Sequence, residues 1–368
     1  MNMITSIGRT GLFAALLATS GLAAAQSARS VDAAPPPPPA PVAATMPAMP
    51  APDMQAVLDA MMARGAQPIE TLTPAMARMQ PTVADGMRDV LLKQGKDALP
   101  DMTVTTQDLR YGPELQQYAR VYRPAMTAAN AGAMPVVVYF HGGGWVIADV
   151  NVYDATPRLL AKQLNAVVVS VEYRHAPEAK FPAQHDDAAM AYRWVLDNAA
   201  SWGGDPRRVA LAGESAGGNL AVATAIYARD NGLTTPMHIL AVYPIANSSK
   251  TLPSRMDSFG AKPLDTPMLD WFAYYYQTSG GEMMDPRINL VAANLRGLPP
   301  TTIINAQIDP LRSDGETLAD AMKAAGDRVE QRTFPGVTHE FFGLGQVVRG
   351  AYDANLYAVE RLRDGLRK

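Results

Sequence analysis

The chain has 368 residues, 48% of them hydrophobic and 7% aromatic, which is enough for one large domain with a sizeable core or for two modest ones. Its formal net charge is −3 and its lysines and arginines form no cluster, which argues against a nucleic-acid partner. The sequence contains no cysteine, so disulfides, thiol chemistry and cysteine-ligated metals are excluded.

Residues 1–25 are predicted to form a signal peptide. Arg9 precedes an apolar run from Gly11 to Leu22, and Ala23–Ala25 supplies the small residues that a signal peptidase needs. The run is short against the roughly 20 residues that span a bilayer, which disfavours the alternative of an uncleaved membrane anchor. We therefore expect an exported bacterial protein, periplasmic or secreted, with no integral membrane span in its mature form.

Residues 26–52 are rich in proline and alanine and are predicted to form an extended, solvated linker. The folded domain is expected over residues 53–368. Its first segment, MQAVLDAMMARG at 54–65, places apolar residues on one helix face, and a second helix is predicted over Thr82–Gln94.

The pattern changes after Met102 from helices to strands. Two segments, VTTQDLRYG and QQYARVYRP, alternate like half-buried strands, whereas MPVVVYF, AVVVSV, LAVYP and TTIINAQ are nearly continuous apolar runs. Helices are predicted between these runs, at Asp154–Leu164, Ala183–Asn198, Gly217–Asn231 and Gly315–Ala325. The order predicts an α/β fold with a mostly parallel central sheet, whose ligands meet the carboxyl ends of the strands.

Three glycines follow the first long apolar run, in the segment HGGGW at 141–145. Without side chains, their backbone N–H groups can turn toward an anion, although a plain tight turn is the alternative interpretation. We take Gly142, Gly143 and the amide of Ala216 as candidate oxyanion-hole donors. His141 is interpreted as a structural hydrogen-bonding residue.

Ser215 lies in GESAG at 213–217, between a short apolar strand and a helix. A nucleophile on such a sharp turn needs small residues two before and two after it, and Gly213 and Gly217 meet that need. The competing interpretation is that Ser215 is only a helix N-cap.

Asp309 and His339 each follow a predicted strand, in NAQIDPL and in FPGVTHEFFG. The order Ser215, Asp309, His339 is the order of a catalytic triad in α/β-hydrolases. In that interpretation His339 takes the proton of Ser215, and Asp309 orients His339 and stabilises its cationic form.

The motifs resemble those of the hormone-sensitive-lipase family of bacterial esterases, or family IV carboxylesterases. The resemblance runs from about Met54 to Arg363 and rests on HGGGW, GESAGGN, EYRHAPEAKFPA, GGDPRRVALAG, DPLRSDGE and GVTHEFFG. It implies an α/β-hydrolase fold with a helical cap, here about 53–101 and 247–286. It also implies short-acyl ester substrates and no cofactor or metal.

Some positions depart from the family pattern, namely His175, Ala148 and Gln307. None of them removes a catalytic group. Two further acidic residues, Asp187 and Glu214, are interpreted as supporting carboxylates.

The sequence thus predicts a serine carboxylesterase that cleaves small esters, including acetyl esters, through an acyl-serine. Acyl transfer or amide hydrolysis by the same triad remains an alternative, as does a non-catalytic ligand-binding protein on the same fold. The expected partner is a small-molecule ester, and a homo-oligomer is possible.

Overall fold

The computed structural model describes residues 48–125, 132–258 and 260–367. The predicted signal peptide and nearly all of the predicted linker lie outside these ranges. A single mixed sheet runs through the described chain, and its eight strands are β1 (Val104–Arg110), β2 (Tyr118–Pro124), β3 (Met134–Phe140), β4 (Val167–Val171), β5 (Gly204–Glu214), β6 (His238–Val242), β7 (Thr301–Ile308) and β8 (Val329–Thr338).

The sheet is mostly parallel, as the sequence predicts. Its strand order is β1-β2-β4-β3-β5-β6-β7-β8; the pairs β1/β2 and β2/β4 are antiparallel, and every other pair is parallel. The two alternating segments form the antiparallel edge, whereas the continuous apolar runs form the interior strands, which are buried on both faces. The predicted fold class is confirmed.

Helices of widely different length precede, connect and follow the strands. They are α1 (Pro52–Ala63), α2 (Pro74–Ala77), α3 (Val83–Lys93), α4 (Ala155–Leu164), α5 (Ala183–Asn198), α6 (Ala216–Asp230), α7 (Pro253–Asp257), α8 (Thr266–Tyr276), α9 (Arg312–Ala324) and α10 (Arg349–Leu366). Among the described residues, no helix is both long enough and apolar enough to cross a membrane.

Two hydrophobic cores lie on opposite faces of the sheet, because successive side chains of a strand point to opposite sides. In β3, Val136 and Val138 belong to the core that also contains residues of α5, α6 and α9. Val137 and Tyr139 belong to the other core, with residues of α1, α4 and α10. The sheet is therefore covered on both faces, which fixes its carboxyl edge as the place where polar groups can gather.

The helix α9 begins at Arg312, three residues before the predicted start at Gly315. Gly315 lies inside the helix. A residue without a side chain is needed there, because a Cβ atom would come within 2.1 Å of the side-chain oxygen of Asn305 on β7. A close helix–strand contact, and not a helix boundary, explains this glycine.

The two segments predicted to form a cap are helical and meet in space. The first contains α1, α2 and α3, and the second contains α7 and α8. The indole nitrogen of Trp271 in α8 donates to the carbonyl oxygen of Leu72 at 2.9 Å, which joins the two segments. The start of the first segment is held to β8, where the amide of Ala51 donates to the carbonyl of Gly336 at 2.8 Å.

We predict that Gly86→Ala lowers the thermal stability of the protein. A Cβ atom at Gly86 in α3 would lie 2.4 Å from the carbonyl oxygen of Val57 in α1, so the two helices would have to move apart. Overpacking of this kind costs about 1–3 kcal/mol, which exceeds the roughly 1 kcal/mol that alanine gains over glycine in a helix. Differential scanning calorimetry measures the change in Tm.

The matched control is Gly280→Ala, because nothing lies within 4 Å of a Cβ atom at that position. The control is expected to leave Tm almost unchanged. An unchanged or raised Tm for Gly86→Ala would show that α1 and α3 do not pack at this distance.

Candidate active site

Ser215 occupies the sharp turn between β5 and α6. Its backbone has φ 57° and ψ −119°, a conformation that side-chain-bearing residues rarely adopt and that therefore marks backbone strain. A Cβ atom at Gly213 would lie 2.1 Å from the carbonyl oxygen of Gly217, and one at Gly217 would lie 2.0 Å from that of Phe140. The turn is possible only because both flanking residues are glycine.

The N-cap interpretation of Ser215 does not agree with the structure. Ser215 precedes the first residue of α6, but its side chain makes no capping hydrogen bond to the helix. Its hydroxyl oxygen instead lies 3.0 Å from Nε2 of His339. The geometry therefore directs the hydroxyl group away from the helix backbone and toward an imidazole.

The three residues proposed as a triad form one hydrogen-bonded chain. Nδ1 of His339 lies 2.7 Å from Oδ2 of Asp309, and because a carboxylate only accepts, Nδ1–H is the donor. Nε2 is then free to accept from the hydroxyl of Ser215. The other oxygen of Asp309 accepts from the amide of Leu311 at 2.8 Å, which fixes the carboxylate in place.

Two opposing effects set the proton affinity of His339. Burial lowers the pKa of His339, but the negative charge and the hydrogen bond of Asp309 outweigh burial and hold the pKa above its ordinary value. The charges of Glu340 and Glu214 add to this rise in the pKa. The site is therefore built to stabilise an imidazolium ion at His339.

The candidate oxyanion donors lie beside Ser215. His141–Trp145, called the oxyanion loop below, directly follows β3, and within the described residues no acceptor takes the amide hydrogen of Gly142 or Gly143. Gly143 has φ 97°, and a Cβ atom there would lie 2.1 Å from the carbonyl oxygen of Ile147. Ala216 is the first residue of α6, where amides have no acceptor inside the helix.

His141 has the structural role that the sequence predicts. Its side chain is fully buried, and Nδ1 lies 2.8 Å from the carbonyl oxygen of Gly142, to which Nδ1–H donates. The hydroxyl of Tyr173 donates to the carbonyl of His141 at 2.9 Å, and the two rings stack. Because the N–H of a trans peptide points opposite to its C=O, holding the Gly142 carbonyl also orients the amide of Gly143.

A cavity of about 170 Å³ opens over Ser215, His339 and Gly143. The first cap segment contributes Ile69 to its wall, and the second contributes a group of apolar side chains. The apolar wall residues from the second segment are Leu264, Met268, Leu269 and Phe272. Phe272 packs directly on the oxyanion loop, since a Cβ atom at Gly144 would lie 2.2 Å from its ring.

Glu214 and Asp187 support the structure near the site, as the sequence predicts. Glu214 is buried and accepts hydrogen bonds from the hydroxyls of Tyr139 at 2.6 Å and Thr156 at 2.7 Å, and also from Tyr243. Burial raises the pKa of Glu214, although these hydrogen bonds act in the opposite direction. Asp187 is buried and accepts from Arg174 at 2.7 Å.

Two sets of polar contacts near the oxyanion loop were not predicted from the sequence. The hydroxyl of Tyr153 donates to Glu340 at 2.9 Å, and the same hydroxyl fills the space that a side chain at Gly142 would need. Arg78, which follows α2, donates to the carbonyl of Val146 at 2.8 Å and pairs with Glu178 at 2.7 Å. Only Glu340 had a sequence signal, its place beside His339 in the GVTHEFFG segment.

We predict that His339 titrates apart from His185 and His238 in an NMR titration of the ring protons. His339 should titrate above the ordinary histidine pKa, because Asp309 favours its charged form. Burial lowers the pKa of His185 and of His238 to about 4, so both should stay neutral down to acidic pH. In Asp309→Asn the pKa of His339 should fall, whereas those of His185 and His238 should not change. An unchanged pKa of His339 in this variant would contradict the ion pair.

The chain is similar to known esterases over most of its described length. Residues 137–343 match the alpha/beta hydrolase fold family. The chain is 37% identical over 294 residues to carboxylesterase NlhH of Mycobacterium tuberculosis, an alignment that covers 77% of this chain and 91% of the relative. It is 33% identical to ethyl acetate hydrolase of Pseudomonas putida, over 73% of this chain and 84% of that protein.

Solved structures give the same result for the fold. An alpha/beta hydrolase enzyme from the metagenome of Lake Arreo superposes with a TM-score of 0.76 at 34% sequence identity, covering 87% of this chain and 99% of that chain. An esterase of Pyrobaculum calidifontis superposes with a TM-score of 0.72 at 33% identity, covering 83% of this chain and 97% of that one. The chain belongs to the alpha/beta-hydrolase family, in the hormone-sensitive-lipase-like group that its motifs indicate.

Proposed function

We propose that the protein is a serine carboxylesterase that hydrolyses small esters through an acyl-enzyme on Ser215. The observation that carries the proposal is the hydrogen-bonded chain from Ser215 through His339 to Asp309, placed at the floor of a cavity. The relatives named carboxylesterase and ethyl acetate hydrolase support the same reaction class.

Acylation begins when Oγ of Ser215 attacks the ester carbonyl carbon. Nε2 of His339 takes the hydroxyl proton as the new C–O bond forms, because an unassisted serine hydroxyl is a weak nucleophile. The amides of Gly142, Gly143 and Ala216 donate to the oxyanion, and since they are aligned in advance, no reorganisation is needed during the reaction. The tetrahedral intermediate collapses, and the alcohol leaves with the proton from His339.

Deacylation repeats these steps with water in place of Ser215. His339 accepts a proton from water, the resulting hydroxide adds to the acyl carbonyl, and the carboxylic acid is released as Ser215 regains its proton. Asp309 keeps Nδ1 of His339 protonated, so that Nε2 is the basic nitrogen in both halves of the reaction. No step requires a metal or an organic cofactor.

The cavity supports a preference for short acyl groups, including acetyl. Its volume of about 170 Å³ is below the 300–1,000 Å³ that is usual for small-molecule pockets. Ile69, Leu264 and Phe272 give it apolar walls on the cap side, which suit an alkyl chain better than a charged group. We further propose that residues 53–101 and 247–286 act as a cap that limits the length of the acyl chain.

The matched test is hydrolysis of p-nitrophenyl esters of increasing acyl length by the full chain and by Ser215→Ala. We expect acetate and butyrate to be hydrolysed and the rate to fall for long acyl chains, because the cavity cannot hold them. Ser215→Ala should lose at least about 10³-fold in kcat, whereas the exposed Ser201→Ala should keep full activity. Equal, negligible turnover by the wild type and Ser215→Ala would contradict the proposal.

The same proteins distinguish the alternatives. Labelling by a fluorophosphonate that is lost in Ser215→Ala would show a reactive serine even without ester turnover, and its absence would indicate a non-catalytic binding protein. Turnover that rises with an added alcohol acceptor, or with amide substrates in place of esters, would instead indicate an acyltransferase or an amidase.

We also propose that the protein is exported through a cleaved signal peptide at residues 1–25. The apolar run Gly11–Leu22 and Ala23–Ala25 support this proposal, and both lie outside the described residues. In a Gram-negative host, the periplasmic protein should begin at Gln26 by N-terminal sequencing. Leu16→Arg interrupts the apolar run and should retain the full-length chain in the cytoplasm. Recovery of uncleaved wild-type protein from the cytoplasm would contradict export.

A further inference from the structure

A buried cluster of potential metal ligands lies behind the oxyanion loop. It consists of His141, which follows β3, and of Glu172 and His175, which follow β4; all three side chains are buried. Nε2 of His141 lies 3.6 Å from Oε2 of Glu172, and Nε2 of His175 lies 3.2 Å from Oε1. One ligand atom from each of the three residues lies within 4.8 Å of the other two.

The two imidazole nitrogens that face Glu172 have no hydrogen-bond partner among the described residues. The distance of 3.2 Å from His175 to Glu172 is short, but the atoms are not aligned for a hydrogen bond. Nδ1–H of His141 donates to the carbonyl of Gly142, which leaves a lone pair on Nε2 in the neutral ring. In that tautomer a lone pair on Nε2 faces a carboxylate oxygen, an unfavourable pairing that a cation relieves, either a metal ion or a proton on Nε2.

The outer nitrogen of the His141 ring is held in the way that metal-ligating histidines usually are. Metal-bound imidazoles nearly always donate their second N–H to a carbonyl or carboxylate oxygen, and His141 does so to Gly142. Nδ1 of His175 lies 3.2 Å from the side-chain amide of Gln116. In the structure the amide nitrogen of Gln116 faces Nδ1, and its oxygen accepts from the backbone amide of His175 at 3.4 Å. Nε2 of His175 becomes free to bind a cation when the Gln116 amide turns its oxygen toward Nδ1–H.

We propose that His141, Glu172 and His175 bind a divalent transition-metal ion, with Zn²⁺ as the preferred ion. Two imidazole nitrogens and one carboxylate are an established zinc donor set. Zinc–nitrogen and zinc–oxygen bonds of about 2.0–2.1 Å give a tetrahedron edge of about 3.3 Å. The separations of 3.6 Å to Oε2 and 3.2 Å to Oε1 of Glu172 are each close to that edge.

The site goes beyond the proposed function and is independent of it. The ion would not touch the substrate, because His141 holds the back of the Gly142 carbonyl and lies outside the cavity wall. Its role would be structural, fixing the ring of His141 and with it the peptide between Gly142 and Gly143. His175, which departs from the family pattern, supplies the third ligand.

The test measures zinc binding to the full chain after chelator treatment and dialysis. Isothermal titration with ZnCl₂ should show one ion bound per chain, and Co²⁺ should give the visible absorption of a tetrahedral N/O site. Zinc should also raise Tm until the site is saturated. All three readouts can be repeated in Ser215→Ala, so that they do not depend on esterase activity.

His175→Leu removes one ligand and should weaken zinc binding by at least about 100-fold, since even second-shell changes cost 10–100-fold. Glu172→Gln should have a similar effect. The control is His238→Gln, which removes a buried histidine whose Nε2 lies 3.0 Å from the hydroxyl of Thr302. The control should keep the affinity of the wild type.

Two outcomes would overturn the proposal. One is the absence of stoichiometric zinc binding to the folded wild type, with nitrogen-15 NMR showing protons on both ring nitrogens of His141; the cation would then be the imidazolium itself. The other is equal zinc affinity in the wild type and in a folded His175→Leu variant, which would place the ion elsewhere.

Discussion

Among the glycines that the structure describes, Gly217 makes the closest backbone approach, against the end of β3. A Cβ atom at Gly217 would lie 2.0 Å from the carbonyl oxygen of Phe140, so α6 starts against the backbone that leads into the oxyanion loop. This contact sets the distance between the strained turn at Ser215 and the amides of Gly142 and Gly143. The nucleophile and the anion-binding donors are therefore positioned by one backbone contact that tolerates no side chain.

Charge is arranged around this turn in two different ways. Asp309 is placed to stabilise a positive charge on His339, because its carboxylate contacts the ring and is held by the amide of Leu311. Glu214 lies next to Ser215 in sequence, but its carboxylate is occupied by hydroxyl donors such as Tyr139 and Thr156. Neighbouring carboxylates thus have different roles, because one faces an imidazole and the other faces only neutral donors.

Local sequence patterns were sufficient to predict the sheet and the place of each candidate catalytic residue. Continuous apolar runs indicated buried strands, and the chemistry-bearing residues follow those strands because parallel strands end at one edge. The start of α9 was missed, since Gly315 is a packing residue against Asn305 and resembles a helix boundary in the sequence. The position of Ser215 was predictable because the turn itself requires glycine two residues before and two residues after the serine, and this pattern is visible in five residues of sequence.

Contacts between distant segments had no such local signal. The bond from Tyr153 to Glu340 joins residues 187 positions apart, and the bond from Arg78 to Val146 joins residues 68 positions apart. The volume of the cavity likewise depends on Ile69 and Phe272, which line it from segments about 200 residues apart, and no local periodicity specifies their placement. Such features follow from tertiary packing, which a single sequence does not encode in any short window.

The hydrogen bond from Ala51 to Gly336 has a consequence for the order in which the chain can fold. Helix α1 emerges early in synthesis, yet Met54 and Val57 pack in a core that also contains Phe334 and Val337 of β8. The packing of α1 is therefore complete only when the last strand of the sheet is present. The two ends of the domain share one hydrophobic core, so that each end depends on the other for its full burial.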